Sequence, residues 1–310
     1  MWQKLNSRYS RRAFALILVL LLLVMVAILW YVNAKQSSLS KENFNFIQSL
    51  LLTLIASLLS ATFMGAMYWF LLPKERQLQQ IEEIDPQTTI QYFDDALDST
   101  TYWGYHGHIG RWLRNAAFAA LDRKAKAKGE VINVDVIIID PLNVGVCGIF
   151  ARYKSIIRFR EKEQESAEDV RAELFATILM AIIANVSGSI KVRLFLTSGF
   201  SSLRKDISDN VIFLTRVDPR APALMVKKEI GRRPIETSYA MFKTDFEFIK
   251  QQSKEVDLQG VGARISARSE RSEVASALVE LGFFTNPEAL DDSLMNKIIK
   301  LLNSKYHPYN

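Results

Sequence analysis

The sequence predicts two N-terminal transmembrane helices followed by a cytoplasmic α/β domain with a central mixed or mostly parallel sheet and a helical C-terminal extension. Three observations predict this fold class. Two long apolar runs, 13–32 and 46–72, contain no charged residue. Strand and helix patterns alternate between residues 100 and 257. Helical patterns alone follow from 258 to 310. Uncharged runs of this length suit a bilayer, and strand–helix alternation is the signature of an α/β sheet.

The distribution of charge supports a membrane anchor. The chain carries 39 basic and 33 acidic residues, but residues 1–73 hold six of the basic residues and one of the acidic residues. Nearly all of the net charge of +6 therefore lies beside the apolar runs, where topology signals and anionic headgroups explain it. Whole-chain charge gives no reason to expect a nucleic-acid partner.

The first apolar run, 13–32, spans about 30 Å as a helix, which matches the hydrocarbon thickness of a bilayer. A cleaved signal peptide is the alternative, but its apolar region is normally only about 7–15 residues long. This run is longer and ends in Trp30 and Tyr31, which suit the membrane interface. The expectation is a retained helix.

The second apolar run, 46–72, carries a stripe of small residues at four-residue spacing, which places them on one helix face. Small residues let helix backbones approach closely in lipid. The stripe therefore predicts either packing against the first helix of the same chain or self-association between chains. Its members are Thr53, Ser57, Ala61 and Gly65.

The orientation follows from the positive-inside rule. Four basic residues precede the first run, and the loop 33–45 carries two. The rule places both termini in the cytoplasm. The predicted organisation is an anchor over 1–73, a linker and entry helix over 74–99, an α/β domain over 100–257 and a helical extension over 258–310.

Within the α/β domain, the strand 131–139 is the clearest element, because its apolar run suits a sheet that is covered on both faces. Further strands are predicted at 100–105, 192–197, 211–217 and 223–226. Helices are predicted at 88–97, 110–127, 143–152, 167–185, 237–256, 269–281 and 289–304.

The turn 103–111, WGYHGHIGR, is the first candidate site. It joins the carboxyl end of a strand to a helix N-terminus, where free N–H groups and arginine side chains can bind an anion. A tight turn with surface arginines is the structural alternative. The glycines match neither a dinucleotide fingerprint nor a P-loop. The candidate ligand-binding residues here are Gly107, His108, Gly110, Arg111, Arg114 and Asp140.

A basic run with interleaved aromatic residues is the second candidate. Such a run can bind phosphates and stack on bases, although a solvated or membrane-facing helix surface explains it equally well. Its candidate partner-binding residues are Arg152, Lys154, Arg158 and Arg160, and the aromatic residues are Phe150, Tyr153 and Phe159.

Residues for catalysis are few. His106 and His108 alternate by two, and a strand would place them on one face, with Asp140 as the nearest third ligand. Structural and catalytic zinc sites need three or four ligands, so we expect no metal and no cofactor. No nucleophile–base motif is evident, and we expect no catalytic residue. The single cysteine, Cys147, lies in an apolar helix and is expected to be a core residue.

The order of parts resembles the two-transmembrane effectors of bacterial retron anti-phage defence systems. The resemblance rests on the two apolar runs, on Trp103-Gly104-x-x-Gly107-x-x-Gly110-Arg111, and on the strand ending Ile139-Asp140-Pro141. The soluble part is also similar to phospholipase D-like domains. No histidine is followed two residues later by lysine, so the latter resemblance implies a non-catalytic relative.

The resemblance implies a toxic effector for abortive infection in the bacterial inner membrane. A reverse transcriptase and its RNA–DNA product would hold it inactive, and its release would damage the membrane. Membrane lipid and further copies of the chain are the other expected partners. The alternative from the residues is a membrane-tethered enzyme or sensor for a nucleotide or phosphate ligand at the 103–111 turn.

Overall fold

The structure is a computed structural model that describes residues 23–34, 41–71, 81–157, 165–218, 221–229, 237–259, 261, 265–266 and 269–304. The chain divides into two compact units, Met1–Leu78 and Gln79–Asn310. The two units are described separately below.

In the first unit, helix α1 covers Leu23–Ala34 and helix α2 covers Lys41–Leu71. Within α2, the segment Phe44–Met64 is long and apolar enough to cross a membrane, and little of it is buried. This helix is compatible with membrane association.

The predicted pair of transmembrane helices is wrong for the residues that the structure describes. The described part of helix α1 has 12 residues, which corresponds to about 18 Å and is shorter than a hydrocarbon core of about 30 Å. The preceding part of the predicted first span, 13–22, lies outside the described residues. One helix of spanning length, rather than two, is therefore established among the described residues, and the multi-pass arrangement is not supported.

The second unit is built on one eight-stranded sheet with the strand order β1-β7-β6-β5-β2-β3-β4-β8. The strands are β1 (Ile81–Ile84), β2 (Tyr102–His106), β3 (Ile132–Ile139), β4 (Ile190–Thr197), β5 (Arg204–Ile207), β6 (Val211–Thr215), β7 (Ala223–Lys227) and β8 (Lys254–Val256).

The sheet is mixed rather than mostly parallel. Strands β2, β3 and β4 are parallel neighbours. Strands β5, β6 and β7 form an antiparallel meander beside β2, and β1 and β8 pair antiparallel at the two edges. The parallel strands need helical crossovers, whereas the antiparallel strands are joined by short turns.

Most helices of this unit cover one face of the sheet and enclose the main core. The helices are α3 (Pro86–Ser99), α4 (Phe118–Lys128), α5 (Val144–Ile157), α6 (Ala167–Val186), α7 (Ser238–Gln252), α8 (Arg271–Glu280) and α9 (Asp292–Asn303). Helix α6 lies at the centre of this layer: it contacts α5, β4 and α9. The helical C-terminal region is thus part of the same core, with Ile298 of α9 fully buried.

Helix α7 packs on the opposite face of the sheet over a smaller core that contains Ile137, Ile207 and Phe246. A buried carboxylate, Asp135 of β3, lies on this face. It accepts two hydrogen bonds of 2.7 Å from Arg193 of β4 and one of 3.0 Å from Lys250 of α7. Asp135 therefore joins two strands and the covering helix.

Tyr102 of β2 completes this cluster, because its hydroxyl donates to Asp135 at 3.3 Å. Burial, together with the negative charge of Asp135, raises the pKa of the Tyr102 phenol well above its usual range. The phenol therefore remains a donor to the carboxylate throughout the physiological pH range.

Asp135→Asn should lower the free energy of unfolding by about 1–3 kcal/mol, because the buried side chain loses its charge-assisted hydrogen bonds to Lys250 and to the more exposed Arg193. The matched change Glu83→Gln, at an exposed position of β1, should cost less than about 0.5 kcal/mol. Thermal unfolding of the detergent-solubilised protein, followed by tryptophan fluorescence, measures both changes. Equal melting temperatures for the two variants would contradict the role assigned to Asp135.

Candidate functional site

The loop after β2 is fixed to the neighbouring strand by backbone hydrogen bonds. Gly107 N–H donates to the carbonyl of Ile137 at 3.1 Å, and Ile139 N–H donates to the carbonyl of His108 at 3.3 Å. A side chain at Gly107 would place its Cβ 2.2 Å from the hydroxyl of Tyr105. The glycine is therefore required by packing against a buried tyrosine.

Gly110 is required for two reasons. Its φ of 67° lies in the left-handed region, and a Cβ atom there would come within 2.6 Å of Thr177 Cγ2. Its N–H donates to the hydroxyl of Tyr105 at 3.2 Å, and the hydroxyl of Thr177 donates to the carbonyl of Ile109 at 2.6 Å. The loop is thereby fastened to α6.

A π-helical turn, Leu113–Ala117, precedes α4 and carries Arg114. The buried guanidinium of Arg114 donates to Glu173 Oε2 at 2.6 Å, to the carbonyl of Glu173 at 3.0 Å and to Thr177 Oγ1 at 3.1 Å. Arg111 donates to the other carboxylate oxygen of Glu173. One glutamate of α6 thus binds both arginines of the predicted anion site.

The charge on Glu173 is secured by these arginines. Burial alone would raise the pKa of its carboxyl, but Arg114 and Arg111 outweigh burial and hold the pKa below its usual range. A ligand anion at this turn would have to displace Glu173 from Arg114. The proposed ligand site at Arg111 and Arg114 stays a prediction, and the geometry assigns both side chains a structural role.

Lys154 of the predicted basic run joins the same network. Its buried ammonium pairs with Glu165, and Glu165 lies 3.6 Å from Arg111. The structure therefore brings together Arg111, Arg114 and Lys154 through two glutamates. Arg152 is exposed on α5. Arg158 and Arg160 lie outside the described residues.

The two glutamates were not among the predicted site residues. Glu173 interrupts the otherwise apolar stretch of α6, AELFATILM. A buried carboxylate must be paired, so this acid within an apolar run was the signal in the sequence that could have identified the partner of the arginines. Nothing comparable marks Glu165, which precedes the helix.

His108 is buried in an aromatic cluster. Its Nε2–H donates to the carbonyl of Ser201 at 2.5 Å. Its ring stacks on Phe150, with centroids 4.5 Å apart, and meets Phe200 edge-on at 5.8 Å. Burial lowers its pKa to about 4 despite the opposing hydrogen bond to Ser201. His108 is thus a neutral packing residue.

His106 ends β2 and has different surroundings, contrary to the expectation that the two histidines share one face. It is buried beside Lys205 of β5, its partner in the strand register, and Lys205 pairs with Asp245 of α7. Burial, aided by Lys205, lowers its pKa to about 4. The chain turns at Gly107, so His108 is directed to α5 while His106 stays beneath α7.

Asp140 shapes the start of α5. Its side chain accepts from the N–H of Leu142 at 2.9 Å, and its own N–H donates to the carbonyl of Thr197 at 2.9 Å. Among the described residues, no group of three or more His, Cys, Asp or Glu could hold a metal ion. Cys147 is buried, and burial raises the pKa of its thiol to about 11, so it is an unreactive core residue.

In α2, the hydroxyls of the small-residue stripe bond to the helix itself. Thr53 Oγ1 donates to the carbonyl of Ser49 at 2.9 Å, and Ser57 Oγ donates to the carbonyl of Thr53 at 2.8 Å. These bonds satisfy each hydroxyl proton within the helix, as lipid requires. Ala61 belongs to the same helix and is exposed, and Gly65 follows one turn later. The association partner of this stripe stays a prediction.

Glu173→Gln should destabilise the protein by about 3–5 kcal/mol, because the buried Arg114 would lose its counter-ion. Glu288→Gln, an exposed change on the short 3-10 helix, should be nearly neutral. Chemical denaturation in detergent compares the two variants. A near-neutral Glu173→Gln would show that this network does not hold the loop in place.

The two buried histidines should make the protein sensitive to acid. Each binds a proton near pH 6.5 when unfolded, but only near pH 4 when folded. Stability should therefore be complete above about pH 6.5, fall as the pH drops toward 4 and then level off, with up to about 3 kcal/mol lost per histidine.

The control for this pH dependence is His106→Phe, which removes one of the two histidines. Its unfolding free energy, measured from pH 7 to pH 4, should fall by about 1.4 kcal/mol per pH unit less than that of the parent protein. If the unfolding free energies of the two proteins changed equally with pH, His106 would have the same pKa in the folded and the unfolded state.

Comparisons with known proteins add little to this geometry. No protein-family model matches the chain, and no curated protein sequence matches it. Among solved structures, one similar chain is TrmBL2, described as an archaeal chromatin protein with a novel mode of DNA binding. The identity is 11%, the match covers 69% of each chain, and the TM-score is 0.31. A likeness this distant carries no argument about the activity of the present chain.

Proposed function

We propose that this protein is a membrane-anchored effector of a bacterial anti-phage system of the retron type, which acts through the membrane during abortive infection. In this proposal α2 is the membrane-active part, and the α/β unit is the part that partners hold. A reverse transcriptase and its RNA–DNA product are the proposed inhibitors, as the family resemblance implies.

The observation that carries the proposal is the apolar segment Phe44–Met64 ahead of a separate compact α/β unit. Its side chains are largely exposed, with Leu52 and Phe63 among the exposed large apolar residues. A helix that is apolar on all sides and little buried by protein suits a lipid environment.

The part of the chain that the structure describes contains one helix of spanning length, and this sharpens the mechanism. One helix cannot enclose a water-filled path, so membrane damage would need several copies. The stripe of Thr53, Ser57, Ala61 and Gly65 supports such an assembly, because small side chains permit close helix contact and hydroxyl oxygens can still accept hydrogen bonds. Self-association between chains is therefore part of the proposal.

The proposed location is the bacterial inner membrane with the α/β unit in the cytoplasm. The basic residues near α2 do not set this orientation, since Lys35 and Lys41 precede the apolar segment while Lys74 and Arg76 follow it. The orientation rests on the proposed partners, because a reverse transcriptase and its nucleic acid are cytoplasmic.

An enzyme or sensor that binds a nucleotide at the 103–111 turn is the weaker alternative. It needs Arg111 and Arg114, and both are bound to Glu173. The effector proposal needs no such rearrangement.

Expression in bacteria without the proposed partners should depolarise the membrane before growth stops. Gly65→Leu and Ser57→Leu should suppress depolarisation at equal protein level in the membrane fraction, because the bulk of leucine separates close-packed helices. A potential-sensitive dye and growth curves provide the measurement. Ala56→Leu, a matched small-to-large change on another face of α2, should leave depolarisation intact.

Two results would contradict the proposal. The α/β unit alone could prove toxic, or His106→Ala could abolish toxicity in a folded protein, and either would favour an enzyme. Cross-linking between chains distinguishes self-association from packing within one chain, since only the former yields dimers and larger species that Gly65→Leu removes.

A further inference from the structure

The outward face of α5 is apolar. The inner face of this helix packs on the main core through Cys147, Phe150 and Ala151. The opposite face repeats with helical spacing and carries Gly145, Ile149, Arg152 and Ile156, all of them exposed. Ile149 is 52% exposed and Ile156 is 71% exposed. Leu142, just before the helix, and Val144, in its first turn, are further exposed large apolar side chains.

This pattern differs from that of an ordinary surface helix. The outward face of a helix on a soluble domain normally carries charged residues of both signs. Helix α5 contains two basic residues and no acidic residue, and one of the two, Lys154, is neutralised by Glu165. The outward face therefore presents large apolar side chains with the single cation Arg152 between them.

The composition of this face fits a lipid surface. Interfacial helices bury isoleucine and leucine just below the headgroups and place basic side chains among the lipid phosphates. The lack of acids in α5 favours an anionic partner with a fluid apolar layer.

The distance along the chain permits this contact. Only residues 72–80 separate the end of α2 from the start of β1. Nine residues reach at most about 30–35 Å when fully extended. If α2 crosses a bilayer, as the proposed function holds, the chain reaches β1 within that distance of the end of α2.

We propose that the outward face of α5 is a second membrane-contact surface, which seats the α/β unit on an anionic bilayer. Ile149, Ile156 and Leu142 enter the interface, and Arg152 binds lipid phosphate. The inference rests on the proposed function for the position of α2, but it concerns a different surface and a different lipid depth.

The test uses the full chain, with Cys147→Ala as background, reconstituted in vesicles. Single spin labels are attached at Ile149→Cys and Ile156→Cys. A matched label at Phe248→Cys reports an exposed apolar position of α7, on the other face of the sheet. A label at Leu54→Cys reports whether α2 lies in lipid. Collision rates with oxygen and with a water-soluble nickel complex measure the depth of each label.

In vesicles that contain one third phosphatidylglycerol, the labels at 149 and 156 should be shielded from nickel several-fold more than the label at 248. Arg152→Glu or purely zwitterionic lipid should remove most of this shielding. Melting temperatures of the labelled proteins check that each variant is folded.

The inference would be overturned if the labels at 149 and 156 were as accessible to nickel as the label at 248. A lipid-buried label at 54 would in that case still support the proposed membrane anchor. A label at 54 exposed to water, with 149 and 156 still shielded in anionic vesicles, would remove the anchor and leave the α5 surface standing. Shielding that is independent of lipid charge and persists in detergent would overturn the inference in favour of contact with a second copy.

Discussion

The arrangement of the α/β unit depends on one buried carboxylate, Glu173. Burial of the apolar helix α6 stabilises the fold, but it also removes the Glu173 carboxylate from water. The free-energy cost of this desolvation must be offset by a partner. Arg114 and Arg111 supply the offset, and in doing so they bind the loop after β2 to the central helix. The π-helical turn that holds Arg114 and the left-handed Gly110 are local distortions that allow this contact. The geometry of the predicted anion site is therefore a consequence of the ion pair.

A second buried acid organises the other face of the sheet in the same manner. Asp135 interrupts the apolar strand β3 and binds Arg193 and Lys250. The two networks are on opposite faces, and each joins a sheet strand or its loop to a covering helix. An apolar replacement of a whole buried ion pair is often as stable as the pair, so we expect these two networks to select the packing of the helices rather than to add net stability.

Much of the α/β unit could be predicted from the sequence because its central elements have strong local signals. The apolar run of β3 and the long, mostly apolar stretch of α6 are both buried. The sequence predicted the first as a strand and the second as a helix. The edge strands were missed for a physical reason. The strand β1 reads IEEI and β8 reads KEV, and each is formed by pairing with a neighbour rather than by its own hydrophobic pattern.

The candidate site also depends on contacts between distant segments, which the sequence pattern does not reveal. The sequence marked Arg111, Arg114 and Lys154 as candidate anion-binding residues, and in the structure these cations pair with the chain's own carboxylates, Glu173 and Glu165. Spacing along the chain shows where cations gather, whereas charge pairing depends on which distant segment packs against them. Arg114 and Glu173 are 59 residues apart. The acid within an apolar helix was the one local sign of that pairing, because an unpaired carboxylate could not be buried there.

In the proposed function, α2 is the described helix that crosses the membrane, and its small-residue stripe then needs a covering surface. A pair of helices can pack within one chain and satisfy a small-residue stripe without any partner. In lipid, the stripe of α2 faces the acyl chains unless another helix covers it, and lipid tails gain little by covering small residues. The hydroxyls of Thr53 and Ser57 already bond within the helix, so insertion itself needs no partner. Insertion and association are thus separable steps, and a protein that holds the α/β units apart could permit the first while preventing the second. That separation is what the proposed inhibition of a membrane effector requires.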